Sequence, residues 1–162
     1  MKRTMIAVLF ALFVLALGRV RSQERPPGTK PADALRYVNA PGLATPPGYS
    51  HAVAVERGTL IYVSGQVAVD RKGEIPSDFR AEAALAFQNL RTVLAAAGTT
   101  PAEVVKINYY VVGLNPEKLL ALREARDAFI DKNRPPASTL AGVAALYRAD
   151  CHLEIEAVAV VR

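Results

Sequence analysis

The chain is poor in residues that cross-link or ligate. Cys151 is its one cysteine, so no intramolecular disulfide can form, and the fold must rest on its core and on subunit contacts. With no partner, Cys151 reads as a small buried apolar residue. There are two histidines, His51 and His152, on different expected strands and without a third ligand. Both read as structural, and no zinc, haem or iron–sulfur spacing is present. A bilayer span needs about 20 apolar residues. The longest apolar run, Met5 to Leu17, has 13. No block of basic residues marks a nucleic-acid surface.

What is there begins with that apolar run. It follows Lys2 and Arg3 and precedes small residues, which fits a signal peptide over residues 1–22 with cleavage after Val20-Arg21-Ser22. The alternative is an uncleaved N-terminal anchor. The whole chain carries +5, but residues 1–22 hold four bases and no acid. The remainder has 16 basic and 15 acidic residues. The expectation is therefore an exported, near-neutral domain, with no stable membrane insertion after cleavage and no nucleic-acid partner. Residues 23–48, rich in proline and glycine, read as an extended leader into a domain over 49–162.

Ala52–Val55 and Thr59–Ser64 are β-rich runs around Glu56-Arg57-Gly58, a hairpin signal. A helix is expected over Asp78–Ala97, capped by Ser77 or Asp78 and stopped by Gly98. A strand follows with Val105, Ile107, Tyr109 and Val111 on one face and Lys106, Asn108 and Tyr110 on the other. The second helix starts at Asn115-Pro116 and runs to about Lys132, with Leu119, Leu122, Ala125, Arg126 and Phe129 in one stripe. Ser138–Ala145 and His152–Val161 read as strands joined by a turn at Tyr147–Asp150. The order ββαβαββ predicts an α+β two-layer sandwich, a mixed β-sheet with two helices on one face. In the last strand Leu153, Ile155, Ala157 and Ala159 share the apolar face. His152, Glu154 and Glu156 share the other, where Val158 and Val160 break the alternation. Two carboxylates so spaced face water, a cavity or another subunit.

Four segments carry a resemblance: Tyr49-Ser50-His51-Ala52, Tyr62-Val63-Ser64-Gly65-Gln66, Pro136-Ala137-Ser138-Thr139 and Glu154-Ile155-Glu156-Ala157. With Ala86-Phe87-Gln88-Asn89-Leu90, Ala95-Ala96-Ala97-Gly98 and Asn133-Arg134-Pro135-Pro136, they make residues 40–162 resemble the RidA (YjgF-type) reactive-intermediate deaminases. The resemblance implies a chorismate mutase-like fold, a homotrimer with small-molecule clefts between subunits, and hydrolysis of enamines and imines to a carbonyl product and ammonia without cofactor or metal.

It also implies site residues. Glu154 matches the acidic residue that orients water and would serve as general base; the other reading is a solvated or interface ion-pair residue. Glu156 reads as structural. Tyr49 matches a cleft tyrosine, and Ser64 and Gly65 match the strand that lines the cleft, with a β-bulge as the other reading of Gly65. Active members carry an arginine after the Pro-Ala pair to grip a substrate carboxylate. Here that residue is Ser138, and Leu140 replaces a small polar residue or cysteine. Losing one partner of a desolvated charge pair costs about 2–5 kcal/mol, tens- to thousands-fold in binding. Ser138 and Thr139 can still donate hydrogen bonds to a neutral ligand. Arg148, in the expected turn, is not assigned the missing role. The functions weighed are hydrolysis of an altered imine or enamine substrate, non-catalytic small-molecule binding in the periplasm or outside the cell, and, disfavoured by charge and export, RNA cleavage.

Overall fold

The computed structural model describes residues 34–162. The signal-peptide reading and the first part of the leader lie outside those residues. Six strands and two α-helices follow in order, with a short 3₁₀ helix (Pro101–Glu103) before β4: β1 (Leu35–Val38), β2 (Ala52–Val55), β3 (Thr59–Val67), α1 (Phe79–Ala96), β4 (Val104–Val112), α2 (Pro116–Asp127), β5 (Ala137–Val143) and β6 (Leu153–Val161). The main sheet has the order β3-β6-β4-β5. It is mixed: β6 is antiparallel to β3 and β4, while β4 and β5 run parallel with α2 as their crossover. Both helices pack on one face, giving the expected two-layer α+β architecture.

The core between the layers follows from the two periodicities. α1 contributes Ala83, Phe87, Leu90 and Leu94, and α2 contributes Leu122, with Phe129 just beyond it. The sheet contributes Ile107, Tyr109, Val111, Leu153, Ile155, Ala157 and Ala159. The caps are as the residue types require. Asp78 accepts from Ala81 N at 2.8 Å and Asn115 from Lys118 N at 2.8 Å. Gly98, at φ +75°, ends α1.

Several local expectations are corrected. The runs around Glu56-Arg57-Gly58 do not form a hairpin. β2 pairs with β1, a strand inside the segment read as leader, while β3 pairs with β6. The observed order is therefore βββαβαββ. β5 ends at Val143 and pairs with β4, so Tyr147–Asp150 is part of a longer connection and not a hairpin turn. α2 stops at Asp127, five residues before Lys132. Phe129 N and Ile130 N both turn back to Arg126 O, and Asp131 Oδ1 accepts from Asn133 N at 2.9 Å, drawing the chain into turns.

Val105 is also on the other face. A register shift between Val104 and Lys106 turns Val104 toward the helices and sends Val105 outward, to Leu35 and Val160. Tyr37, Val53, Val55 and Val158 pack around this second cluster. The late break in the alternation of β6 is thus explained within one chain. Val158 and Val160 are apolar because the β1–β2 ribbon covers that end of the outer face. The other end, bearing Glu154 and Glu156, is left uncovered by it.

Candidate functional site

One pairing positions the cleft segments. Ser50 is buried, its Oγ donates to Pro135 O at 2.7 Å and its N donates to Pro136 O at 3.0 Å. A parallel bridge joins it to Ala137 at the head of β5. Tyr49 is thereby carried alongside Ser138. His51 continues the tie, accepting from Ala40 N through Nδ1 and donating from its own N to Asn39 Oδ1, each at 3.0 Å.

The result is a cavity of about 260 Å³ lined by Pro47, Tyr49, Tyr109, Leu122, Arg123, Arg126, Ser138 and Leu140. Three expected residues, Tyr49, Ser138 and Leu140, meet here. Four others do not. Thr139 points to the opposite face, where its Oγ1 accepts from Lys106 Nζ at 2.7 Å. Ser64 lines a second, open hollow of about 380 Å³ on that outer face with Tyr62, Lys106, Asn108, Glu156 and Val158. Glu154 and Gly65 lie against each other and line neither cavity.

The contact between those two explains the glycine. Val63 pairs with Ala157 and Gln66 with Ile155, so Ser64 and Gly65 together oppose one residue of β6. This is a bulge, and a Cβ at Gly65 would overlap the Glu154 carboxylate, coming 2.6 Å from Cδ. The bulge reading of Gly65 is the one this geometry supports. Asn89 of α1 fixes this end of β3, its Nδ2 donating to Val67 O at 2.8 Å and Val69 O at 3.0 Å.

The two outer carboxylates differ sharply. Glu156 Oε1 accepts from Asn108 Nδ2 at 2.6 Å and from Tyr110 OH at 2.9 Å. These bonds, Asn108's first, hold its carboxyl below the usual carboxylate range, as the structural reading of Glu156 expects. Glu154 has no protein hydrogen bond among the described residues, so its oxygens are available to a ligand or water. The bonds to Glu156 favour its charged form, so its contribution to stability is full above the unfolded carboxylate pKa. It is lost as pH falls through the lowered folded value. Asn108→Ala is expected to raise the Glu156 pKa toward the ordinary carboxylate range, read by carboxyl NMR titration; an unmoved titration would contradict this origin of the shift.

Residues that sequence reasoning left out of the site are Arg126, Arg123 and Tyr109. Arg126 had a visible signal: a charged residue within the apolar stripe of α2. Tyr109 is 3 % exposed, and its hydroxyl interacts with the Ser138 side chain but makes no well-formed hydrogen bond among the described residues. Burial pushes that hydroxyl well above its ordinary pKa, against the pull of Arg126, so it remains a proton donor. The other candidates are structurally engaged. His152 contacts Glu82, and Arg148 is held by Asp150 and Gly73 O. The Cys151 thiol is buried and pushed up to about 11, chiefly by desolvation, which leaves it unreactive at neutral pH.

Residues 39–161 match the family model described as Endoribonuclease L-PSP. Among curated relatives, the putative reactive intermediate deaminase TdcF of Escherichia coli K12 is 32% identical over 124 residues, 75% of this chain and 91% of that protein. The 2-iminobutanoate/2-iminopropanoate deaminase of the same organism is 33% identical over 127 residues, 76% of this chain and 94% of that one. The crystal structure of YyfB, a Yersinia pestis protein of unknown function from the conserved Rid family, superposes with a TM-score of 0.72 at 34% identity, covering 80% of this chain and all of that one.

Proposed function

The chain belongs to the endoribonuclease L-PSP (RidA/YjgF) family, and on that footing we propose that it hydrolyses an imine or enamine at a cleft between subunits of a homotrimer, with a specificity altered by Ser138. The observation that carries this reading is the cavity formed by Tyr49, Ser138 and Leu140. Relatives named as deaminases of reactive intermediates and of 2-iminobutanoate and 2-iminopropanoate supply the reaction class.

The reaction asks little of the protein. An enamine first takes a proton at carbon to become the imine. Water oxygen adds to the carbon of the C=N bond, whose electron pair moves to nitrogen, while Glu154 takes one proton from water and passes it to nitrogen. The resulting carbinolamine gives its hydroxyl proton to nitrogen by the same carboxylate as the C=O bond forms and the C–N bond breaks, and a carbonyl compound and ammonia leave. Within one chain Glu154 and the cavity occupy different faces of the sheet. A second copy whose outer face meets the cavity of the first would bring both halves together, which is the reason for placing the cleft between subunits. The expected site of action is an exported space.

The second reading is a binding protein that kept the cleft and lost the chemistry. Ser138, standing where active members carry the arginine, favours it. RNA cleavage is disfavoured by the near balance of 16 basic and 15 acidic residues beyond residue 22.

Ammonia release from freshly generated 2-iminopropanoate decides between the first two readings. The natural protein is expected to release ammonia, and Glu154→Gln to lose about 10²–10⁴ of the rate. An inert natural protein made active by Ser138→Arg would establish the cleft and replace the enzymatic reading with the binding one.

A further inference from the structure

The cavity beside Ser138 carries its own cations. Arg123 and Arg126, one turn apart on α2, both line it, and no carboxylate does. Arg126 is the more enclosed, with its side chain 16% exposed. A guanidinium has five N–H donors. Arg126 uses Nε and one N–H of a terminal nitrogen on a single acceptor, Asp127 Oδ1, at 2.9 and 2.6 Å. Its other donors have no partner among the described residues. Lys132 Nζ shares Asp127, at 3.1 Å from Oδ2, so this carboxylate is divided between two cations.

Two features indicate that the arrangement is built. Gly48, at φ +85°, makes room for the guanidinium: a Cβ there would stand 2.6 Å from one terminal nitrogen of Arg126 and 2.9 Å from Cζ. The Tyr109 hydroxyl is buried, interacts with the Ser138 side chain without a well-formed hydrogen bond, and belongs to a side chain lining the same space. A buried hydroxyl so poorly satisfied is costly unless something completes its bonding. Ser138 adds a second hydroxyl. The rest of the lining, Pro47, Tyr49, Leu122 and Leu140, is apolar or aromatic.

We propose that Arg126, on the helix facing β5, is the residue that holds the ligand's carboxylate in this cavity, with Tyr109 and Ser138 as neutral donors. The anion grip has moved from the β5 position of Ser138 to the facing helix. The ligand class, a short 2-oxo or 2-imino monocarboxylate, is taken from the reading above, and the specificity-determining residue is what is new. Planar carboxylate meets planar guanidinium, the short chain lies on Leu122 and Leu140, and about 260 Å³ is less than the roughly 300–1,000 Å³ of sites for drug-sized ligands. This deepens the cleft reading above and rests on it.

The test is calorimetric binding of pyruvate and of its amide, pyruvamide, to the natural protein, Arg126→Gln, Tyr109→Phe and the double variant Arg126→Gln/Ser138→Arg. Thermal unfolding of each checks that it is folded. The natural protein is expected to prefer pyruvate. Arg126→Gln weakens pyruvate by roughly 10- to 100-fold and leaves pyruvamide unchanged. Tyr109→Phe weakens pyruvate several-fold, and the double variant regains binding because Ser138→Arg returns a guanidinium to the same cavity. Equal affinity for acid and amide, or undiminished pyruvate binding by a folded Arg126→Gln, overturns the proposal; if Arg126→Gln does not fold, undiminished binding by Tyr109→Phe does so. Catalysis is read separately. Acid binding through Arg126 without ammonia release leaves this inference standing and removes the enzyme reading, whereas ammonia release unaffected by Arg126→Gln does the reverse.

Discussion

Glu82→Ala is expected to destabilise the domain by about 3–5 kcal/mol, the cost of leaving two buried backbone donors without an acceptor and of the void left by the side chain. Glu82 sits in the first turn of α1 and is 1% exposed. Its Oε1 accepts from the backbone N of His152 at 2.6 Å and of Leu153 at 3.0 Å, while Oε2 lies 3.1 Å from His152 Nδ1. The carboxylate therefore satisfies two backbone donors at the N-terminal end of β6. Alanine removes the acceptor of two backbone donors and opens a void where the side chain was. Against a total stability of about 5–15 kcal/mol, the loss is at least about a fifth of the whole. Glu82→Gln keeps an acceptor for the two N–H groups and is expected to cost only about 1–2 kcal/mol. Denaturant unfolding of the two variants measures both. A loss below about 1 kcal/mol for alanine would mean that water replaces the carboxylate, contrary to this account.

The contrast between Glu82 and the rest of α1 shows what was readable in advance. Phe87, Leu90 and Leu94 announce a helix by their spacing, and Asp78 and Gly98 mark its ends. These are local signals, and they were met within two residues. Glu82 was not singled out, because a glutamate in a first turn looks like any solvated dipole partner until the strand it serves is in place. The same holds for the sheet. That Ala52–Val55 and Thr59–Val67 are strands is written in their β-branched residues, but their partners are distant. Leu35–Val38 competes for β2 from inside a proline- and glycine-rich segment, and β6 lies some 100 residues along the chain from β3. Local turn chemistry cannot weigh such pairings. The bulge at Val104/Val105 was hidden for another reason: adjacent valines satisfy either face, so only the arrival of Leu35 and Val160 decides which points outward.

The site divides along the same line. Tyr49, Ser138 and Leu140 were identified through the resemblance, and Ser50 explains physically why they meet. Arg126 stood in an apolar stripe, where it was counted as a helix position rather than as a charge. Its exposure to a cavity depends on Gly48 and on the early end of α2, neither of which is a property of the helix alone.

Gly65→Ala should separate chemistry from stability. A methyl group there enters the space held by the Glu154 carboxylate, with Cδ at 2.6 Å and Cγ at 2.8 Å. Both the colliding group and its carbon are the end of a flexible side chain with no protein hydrogen bond to lose, so Glu154 can swing aside. The backbone angle at Gly65 is not in the left-handed region, so alanine adds no backbone strain. The stability change is therefore expected to stay within about 1 kcal/mol. Activity should behave otherwise. A general base must hold its oxygen within hydrogen-bond reach of the attacking water, and a displacement on the order of 1 Å can cost about 10²-fold. Ammonia release by Gly65→Ala is expected to fall about 10²-fold or more, approaching the loss in Glu154→Gln. Because both changes act through one carboxylate, the double variant should be no slower than Glu154→Gln alone. Full activity in Gly65→Ala would show that Glu154 does its work, if any, from another position. Additive losses in the double variant would give Gly65 a role of its own, as a backbone surface for the ligand.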